Sequence, residues 1–244
     1  MFMQTGAVQA AGFDGQPMTS PSALPVTWSQ APVVTGGSVL GLVYDGGVML
    51  LADILGSYGS LARFRDCRRL MKVNDGVLLG AAGDYADFQY LKAILERKII
   101  EDRAHDDKFS MKPASVLSYL TRILYNRRSQ FDPFWNTFVV AGIQDGKPFL
   151  GSVDKIGTCF QDTQVATSLG AHLAIPLLRD RVEKYPKMTE KQAREALLDA
   201  FRILLYRDCS AFPKFEIAKI TAEGIEVEAP QEVSTNWNLH SAVH

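Results

Sequence analysis

Long apolar runs, cysteine, histidine and an excess of either charge are all scarce in this chain. None of its 244 residues lies in an uninterrupted apolar stretch approaching the roughly eighteen residues that a membrane-spanning helix needs, so no membrane partner is expected. Twenty-six basic against 27 acidic side chains leave a net charge of −1, which offers no global attraction to nucleic acid. Cys67, Cys159 and Cys209 are odd in number, widely spaced and free of any C-x-x-C pattern. That usage fits a reducing compartment, the cytoplasm or nucleus, and all three read as buried thiols. The four histidines, His105, His172, His240 and His244, show no ligand spacing with one another or with the cysteines, and neither a glycine-rich phosphate loop nor a G-x-S-x-G elbow occurs. No metal and no cofactor is expected.

Charge is also missing locally. Residues 1–28 carry one charged side chain, Asp14, among several glycines and prolines, so they cannot build a core. They lack the basic start and apolar middle of a secretion signal and the arginines of a mitochondrial one. A disordered tail is one reading; a removable propeptide is the other.

From Val39 onward the chain is strongly patterned. Val39 to Tyr44 and Val48 to Ala52 are β-prone runs joined by Asp45-Gly46-Gly47, a hairpin, and Asp53 ends the second run inside apolar surroundings. Gly56 to Ser60 reads as a Gly-Ser turn leading into a basic stretch from Arg63 to Lys72. A second hairpin runs from Leu70 to Val73 and from Val77 to Ala82, where small residues leave room for another chain or a substrate backbone. Asp84 is a helix N-cap ahead of Tyr85, Phe88, Leu91, Leu95 and Ile99 at helical spacing. Glu101 to Lys108 reads as a charged loop, and Pro113 opens a second helix through Leu124. Strands resume at Phe138 to Ile143, Phe149 to Val153 and Thr158 to Gln161. A helix from Gly170 to Tyr185 should kink or start late at Pro176; Thr189 and Gln192 form a capping box for a last helix reaching Tyr206. Phe215 to Ile220 and Ile225 to Glu228 close as a hairpin. Two stacked antiparallel sheets, each covered on its outer face by helices, bury every apolar stripe in this order: an α+β, four-layer αββα sandwich.

Four motifs in order, GSYGSLARF (Gly56 to Phe64), GDYADFQYL (Gly83 to Leu91), RRS with PFWNT (Arg127 to Ser129, Pro133 to Thr137) and LLYRD (Leu204 to Asp208), resemble the β-type subunits of the eukaryotic 20S proteasome, in particular the member at the seventh position of the β ring. The resemblance covers Ser29 to about Trp237 and implies the same sandwich, that of the N-terminal nucleophile hydrolases. It also implies a propeptide over residues 1–28 cut between Trp28 and Ser29, a β-type domain over 29–229 and a C-terminal arm over 230–244.

Active members of that family carry a freed Thr, an Asp, a Lys and, late in the chain, an Asp with a Ser three residues on. Carried over, Asp53 and Asp208 match. The nucleophile position falls on Gly37, sixteen residues before Asp53, and the Lys position on Arg69, sixteen after it. Glycine supplies no hydroxyl, and a guanidinium stays protonated where a tunable amine is needed. The late Ser falls on Ala211, with Ser210 one residue out of register, and Ser168-Leu169-Gly170 replaces the Gly-Ser-Gly that supports the nucleophile. Gly83, the oxyanion-hole position, is kept. Thr35, if the strand extends that far, would stand roughly 6 to 7 Å from the nucleophile position, too far for proton transfer. No catalytic residue is expected.

The resemblance therefore implies a non-catalytic structural subunit, whose partners are other β subunits in its own and the opposite ring and the α-ring subunits, with protein substrates met only through the complex. Arg127, Arg128, Trp135, Asn236 and Trp237 are the contact candidates, together with the basic run Arg63 to Lys72 and the aromatics Phe131 and Phe134. Each has a plainer reading: a solvated basic face, a core tryptophan, a frayed terminus. The alternatives are an active threonine peptidase subunit and a free-standing homo-oligomer of the same fold.

Overall fold

The structure is a computed structural model that describes residues 31–105 and 110–238. The chain opens with β1 (Val34–Gly36), β2 (Val39–Tyr44), β3 (Gly47–Asp53), β4 (Gly56–Tyr58), β5 (Leu61–Phe64), β6 (Leu70–Asn74) and β7 (Val77–Asp84). Helices α1 (Tyr85–Ala104) and α2 (Pro113–Ser129) come next, then β8 (Asn136–Gln144), β9 (Lys147–Val153), β10 (Cys159–Gln161) and β11 (Gln164–Ala166). Helices α3 (Gly170–Leu173), α4 (Ile175–Lys184) and α5 (Glu190–Arg207) precede β12 (Lys214–Thr221), β13 (Gly224–Val227) and β14 (Gln231–Glu232).

Two antiparallel sheets result. The first runs β10-β9-β8-β7-β1-β4-β5, with β6 lying beside β1 along the same edge of β7; the second runs β11-β2-β3-β12-β13, with β14 on β12. Alternation along each strand sorts side chains into three cores. Val48, Leu50 and Ala52 of β3 point between the sheets, onto Leu78, Val139 and Ala141 from the other sheet, whereas Met49 and Leu51 face α4 and α5. Val77, Leu79 and Ala81 of β7 face Phe88, Leu91 and Leu95 of α1 and Val116 and Leu120 of α2. The four-layer αββα sandwich is thus present.

Local chemistry explains the element ends. Asp84 caps α1 by accepting from the amides of Ala86 and Asp87, Pro113 stands in the first turn of α2, and Thr189 with Gln192 forms a reciprocal capping box on α5. The expected break at Pro176 separates α3 from α4. The β8–β9 hairpin turns through Asp145-Gly146, both at positive φ (52° and 75°), the geometry that matches strand twist.

Several expectations are corrected. Helix α1 continues through Ala104, because Lys98 and Asp102 pair across one turn at 2.9 Å and carry the helix into the charged stretch. Gly56 to Phe64 is a hairpin, not a turn and loop: only Gly59 (φ 58°) and Ser60 lie between its strands. Strands β1, β11 and β14, two or three residues each, carry too little pattern to announce themselves. Cys67 is buried, but Cys159 and Cys209 are exposed. Nor is there room beside Gly80, where a Cβ would come within 2.8 Å of Val39 of the opposite sheet; small residues there admit this chain's own core.

Behind the last strands, Arg194 of α5 grips Glu228 with both guanidinium nitrogens, at 2.5 and 2.8 Å, and holds Glu228 well below the usual carboxylate range. A depressed carboxylate stabilises the fold above its unfolded value of about 4.3, and loses that contribution as pH falls through the folded value. Thermal unfolding of Glu228→Gln should therefore show a lower Tm than the parent near neutrality, with the gap closing as pH drops below about 4. A gap that persists or widens in acid would contradict this origin.

Candidate functional site

Gly36 and Gly37 sit where the backbone leaves one sheet for the other: β1 ends at Gly36 and β2 begins at Val39. Residues 37 and 38 belong to neither sheet. The crossing is fastened by side chains at its own start and in the loop before α3, since Thr167 Oγ1 accepts from the Val39 amide at 2.8 Å and Ser38 Oγ accepts from the Gly170 amide at 2.9 Å. Upstream, β1 is laddered on both sides, Thr35 opposite Ser57 of β4 and opposite Asp84 of β7. Thr35 is therefore an interior strand residue. The strand ends at Gly36, so Thr35 and Gly37 do not lie on one strand.

Beside the crossing lies Arg69, 2% exposed. Its Nη1 donates to the carbonyls of Gly37 (2.8 Å) and Ala81 (2.9 Å), and its Nη2 donates to the Ser38 carbonyl (3.3 Å) and to Asp53 Oδ1 in a direct ion pair. Asp53 Oδ2 accepts from the Phe212 amide at 3.2 Å. Burial pushes the Asp53 carboxyl up, while the Arg69 guanidinium and the Phe212 amide act against that. One side chain thus gathers four oxygens from β3, β7 and the crossing. Its own stem dictates Gly36: a Cβ there would overlap Arg69 Cδ and stand 2.8 Å from Nε. At Gly37 a Cβ would stand 3.2 Å from Asp53 Oδ2, tighter than ordinary contact.

The remaining family positions are nearby and differently used. Asp208 Oδ1 accepts from both the amide (2.9 Å) and hydroxyl (2.6 Å) of Ser210, while Ala211 packs against the helix-side core. Leu169 is partly exposed at the start of α3, and Gly170 is pressed against Ser38. Gly83, at φ 97°, has a backbone reason of its own, because a Cβ would run into the Trp135 carbonyl. Next to Arg69, Arg68 reaches from the surface to within 3.3 Å of Glu216, a carboxylate only 1% exposed on β12; burial raises its pKa and Arg68 opposes this. Sequence reasoning missed this second pair. Alternation along β12 marked position 216 as inward-facing, the one available signal. Among the described residues no group of acidic, histidine and cysteine side chains is placed to hold a metal ion.

The contact candidates divide between two places. Arg127 ion-pairs with Asp132 at 2.5 Å and lies 4.5 Å from the Phe134 ring centroid, bracing the bend after α2. Arg128 covers Tyr125, and Lys155 sits 3.9 Å over the ring of Trp135, whose amide donates to Asp87. At the other end, the Asn236 amide donates to the Tyr206 hydroxyl at 2.7 Å, and Trp237 meets Tyr206 edge-on at 5.1 Å while remaining 62% exposed. Trp28 and Ser29 lie outside the described residues.

Removing one partner of a buried pair strands the other, so Arg69→Ala should destabilise by about 3–5 kcal/mol in denaturant unfolding. Gly36→Ala should cost about 1–3 kcal/mol from overpacking. In the Arg69→Ala background the same Gly36→Ala change should be close to neutral, because the obstructing stem is gone; additive losses in this double-mutant cycle would refute the steric coupling.

Comparison with known proteins bears on the whole chain. The proteasome subunit family model matches residues 33–220. Proteasome subunit beta type-4 of Xenopus laevis is 46% identical over 219 residues, 90% of either chain, and its Dictyostelium discoideum counterpart is 42% identical over 212 residues, 86% of this chain and 82% of that one. Proteasome subunit beta type-7 of Saccharomyces cerevisiae is 40% identical over 207 residues, 81% of this chain and 77% of the yeast protein. Identity at this level over nearly full length, with the family model matched across the two-sheet sandwich, fixes the assignment: the chain belongs to the proteasome subunit family, among its beta type-4 members.

Proposed function

We propose that the chain is a non-catalytic structural β subunit of the 20S core, contributing ring assembly and half-particle pairing to a complex that degrades proteins. One observation carries the reading. Position 37 is a glycine whose nitrogen is an ordinary amide, with β1 stitched into the sheet immediately upstream, so neither a nucleophilic hydroxyl nor a free α-amine stands at the site. Arg69 supports it, since a guanidinium bonded to four oxygens is permanently charged and cannot take a proton. Asp53 is fully engaged by Arg69 and Phe212, which leaves it a structural carboxylate.

Contact is the remaining role. Partners in this proposal are β subunits of the same and the opposite ring and α-ring subunits, met through Arg128, Trp135, Asn236 and Trp237, with Arg127 holding its neighbourhood in shape. Tyr206 of α5 holds Asn236 and Trp237 of the C-terminal arm against the domain. Residues 1–28 are a propeptide in this reading, removed between Trp28 and Ser29, and the proposed location is the cytoplasm and nucleus, with which the free cysteines agree.

A threonine-directed covalent inhibitor applied to purified particles should label other subunits and leave this chain unmodified; an adduct on it would reverse the proposal. Gly37→Thr should also stay unlabelled, because the new side chain meets Asp53 and no free amine accompanies it. Deleting Thr235 to His244 should slow the pairing of half-particles on native gels, and Tyr206→Phe, which loses the hydroxyl under Asn236, should do so more weakly. Assembly at the parental rate in both variants would remove the arm from the account.

A further inference from the structure

Strand β5 forms one end of the eight-stranded sheet, and its outer edge is unpaired among the described residues. All four of its residues are exposed, which is unusual for a strand carrying Leu61 and Phe64. Register places Leu61 opposite Tyr58 and Phe64 opposite Gly56 with a shift between the two pairs, so Leu61, Phe64 and Tyr58 lie on one face of the hairpin. Leu61 is 61% exposed and its two neighbours more than 40%. Neither the helices nor the second sheet covers this face. An exposed, apolar strand edge is a template for another chain, and folds that stay free normally blunt or cover it.

Charge decides which chain. Arg69 is neutralised by Asp53, and Arg68 lies between Asp66 and Glu216. Arg63 and Arg65 ion-pair with no carboxylate among the described residues. Arg63 instead lies against the rings of Tyr58 and Phe64, at 5.7 and 5.4 Å, and Arg65 against Phe212 at 6.0 Å. Two guanidinium groups held on aromatic faces, with no carboxylate in their forks, make a positive rim around an apolar strand in a chain whose net charge is −1.

We propose that the β4–β5 hairpin is a docking edge for an extended acidic segment of a neighbouring subunit, which adds alongside β5 as a further strand. Backbone pairing would hold the segment, its apolar side chains would cover Leu61 and Phe64, and its carboxylates would engage Arg63 and Arg65. The inference rests on the assembly role proposed above.

The test uses the full chain in the assembled particle, with a photo-reactive benzophenone residue placed at Leu61. Illumination and peptide mass spectrometry should give a cross-link to another subunit, in a segment with Asp or Glu within a few residues of the linked site. Arg63→Glu with Arg65→Glu should lower the cross-link yield by about tenfold, and Asp or Glu→Lys in the partner segment should restore it. If the charge-reversed chain is not incorporated, the identity of the parental cross-link decides alone. A chain incorporated without a cross-link at position 61, or linked only to a neutral or basic segment, overturns the docking edge and leaves the structural role standing. A chain absent from the particle overturns both.

Discussion

The buried guanidinium of Arg69 is the constraint on which the centre of this molecule depends. It joins strands of both sheets at the place where the backbone passes from β1 to β2, and it does so by bonding backbone carbonyls as well as the Asp53 carboxylate. Taking such a charge out of water costs several kcal/mol, offset only when its donors find good acceptors. Four of its five N–H bonds are directed at oxygens; Nε finds none. The stem that places those donors leaves space for no side chain at Gly36. A charged residue in the interior thus explains a glycine distant from it in sequence, and the pair should be regarded as one unit.

The same geometry accounts for the state of the neighbouring positions. Where family members that cut peptides have a free N-terminus, this chain runs a short strand between β4 and β7, and that strand sets the register of the crossing. Asp208 folds back onto Ser210 as a turn-forming carboxylate, and Ala211 lends a methyl group to the core. Gly83 would be glycine whether or not an oxyanion ever formed, because the Trp135 carbonyl occupies the place of its Cβ. Retained residues at such a site need not record retained chemistry. Each one here has a sufficient structural cause.

The sequence made the fold legible wherever pattern and punctuation agreed. The β2–β3, β6–β7 and β12–β13 hairpins combine alternation with Asp-Gly, Asp-Gly or Glu-Gly turns, and α1 and α5 carry caps at fixed offsets from apolar stripes. It was silent on β1, whose three residues are defined only by partners twenty or more positions away, and on β4 and β5, because Gly56, Ser57, Gly59 and Ser60 resemble a loop and β5, exposed at all four residues, shows no alternation. Burial of Arg69 could be suspected from Asp53, whose apolar setting demanded a partner. Glu216 was legible only through alternation. Cys159 and Cys209 were misplaced by a general rule: thiols are buried on average, but an edge strand and a helix end put these two outside.

If chemistry is absent, the surface must carry the biology, and not all exposed side chains are equal to that. Arg127 is already committed to Asp132 and Phe134, so changing it would first loosen the bend after α2 and only then touch any partner. Trp237 differs: one edge rests on Tyr206, which fixes its direction, while most of its surface still faces water. An aromatic side chain oriented in advance loses little entropy when a partner covers it, and that is the property that makes tryptophan effective at interfaces. Phe64 and Tyr58 are held in the same manner by Arg63. At both places an aromatic ring rests against a neighbouring side chain of its own domain, Tyr206 or Arg63, while enough of its surface stays exposed for another subunit to cover.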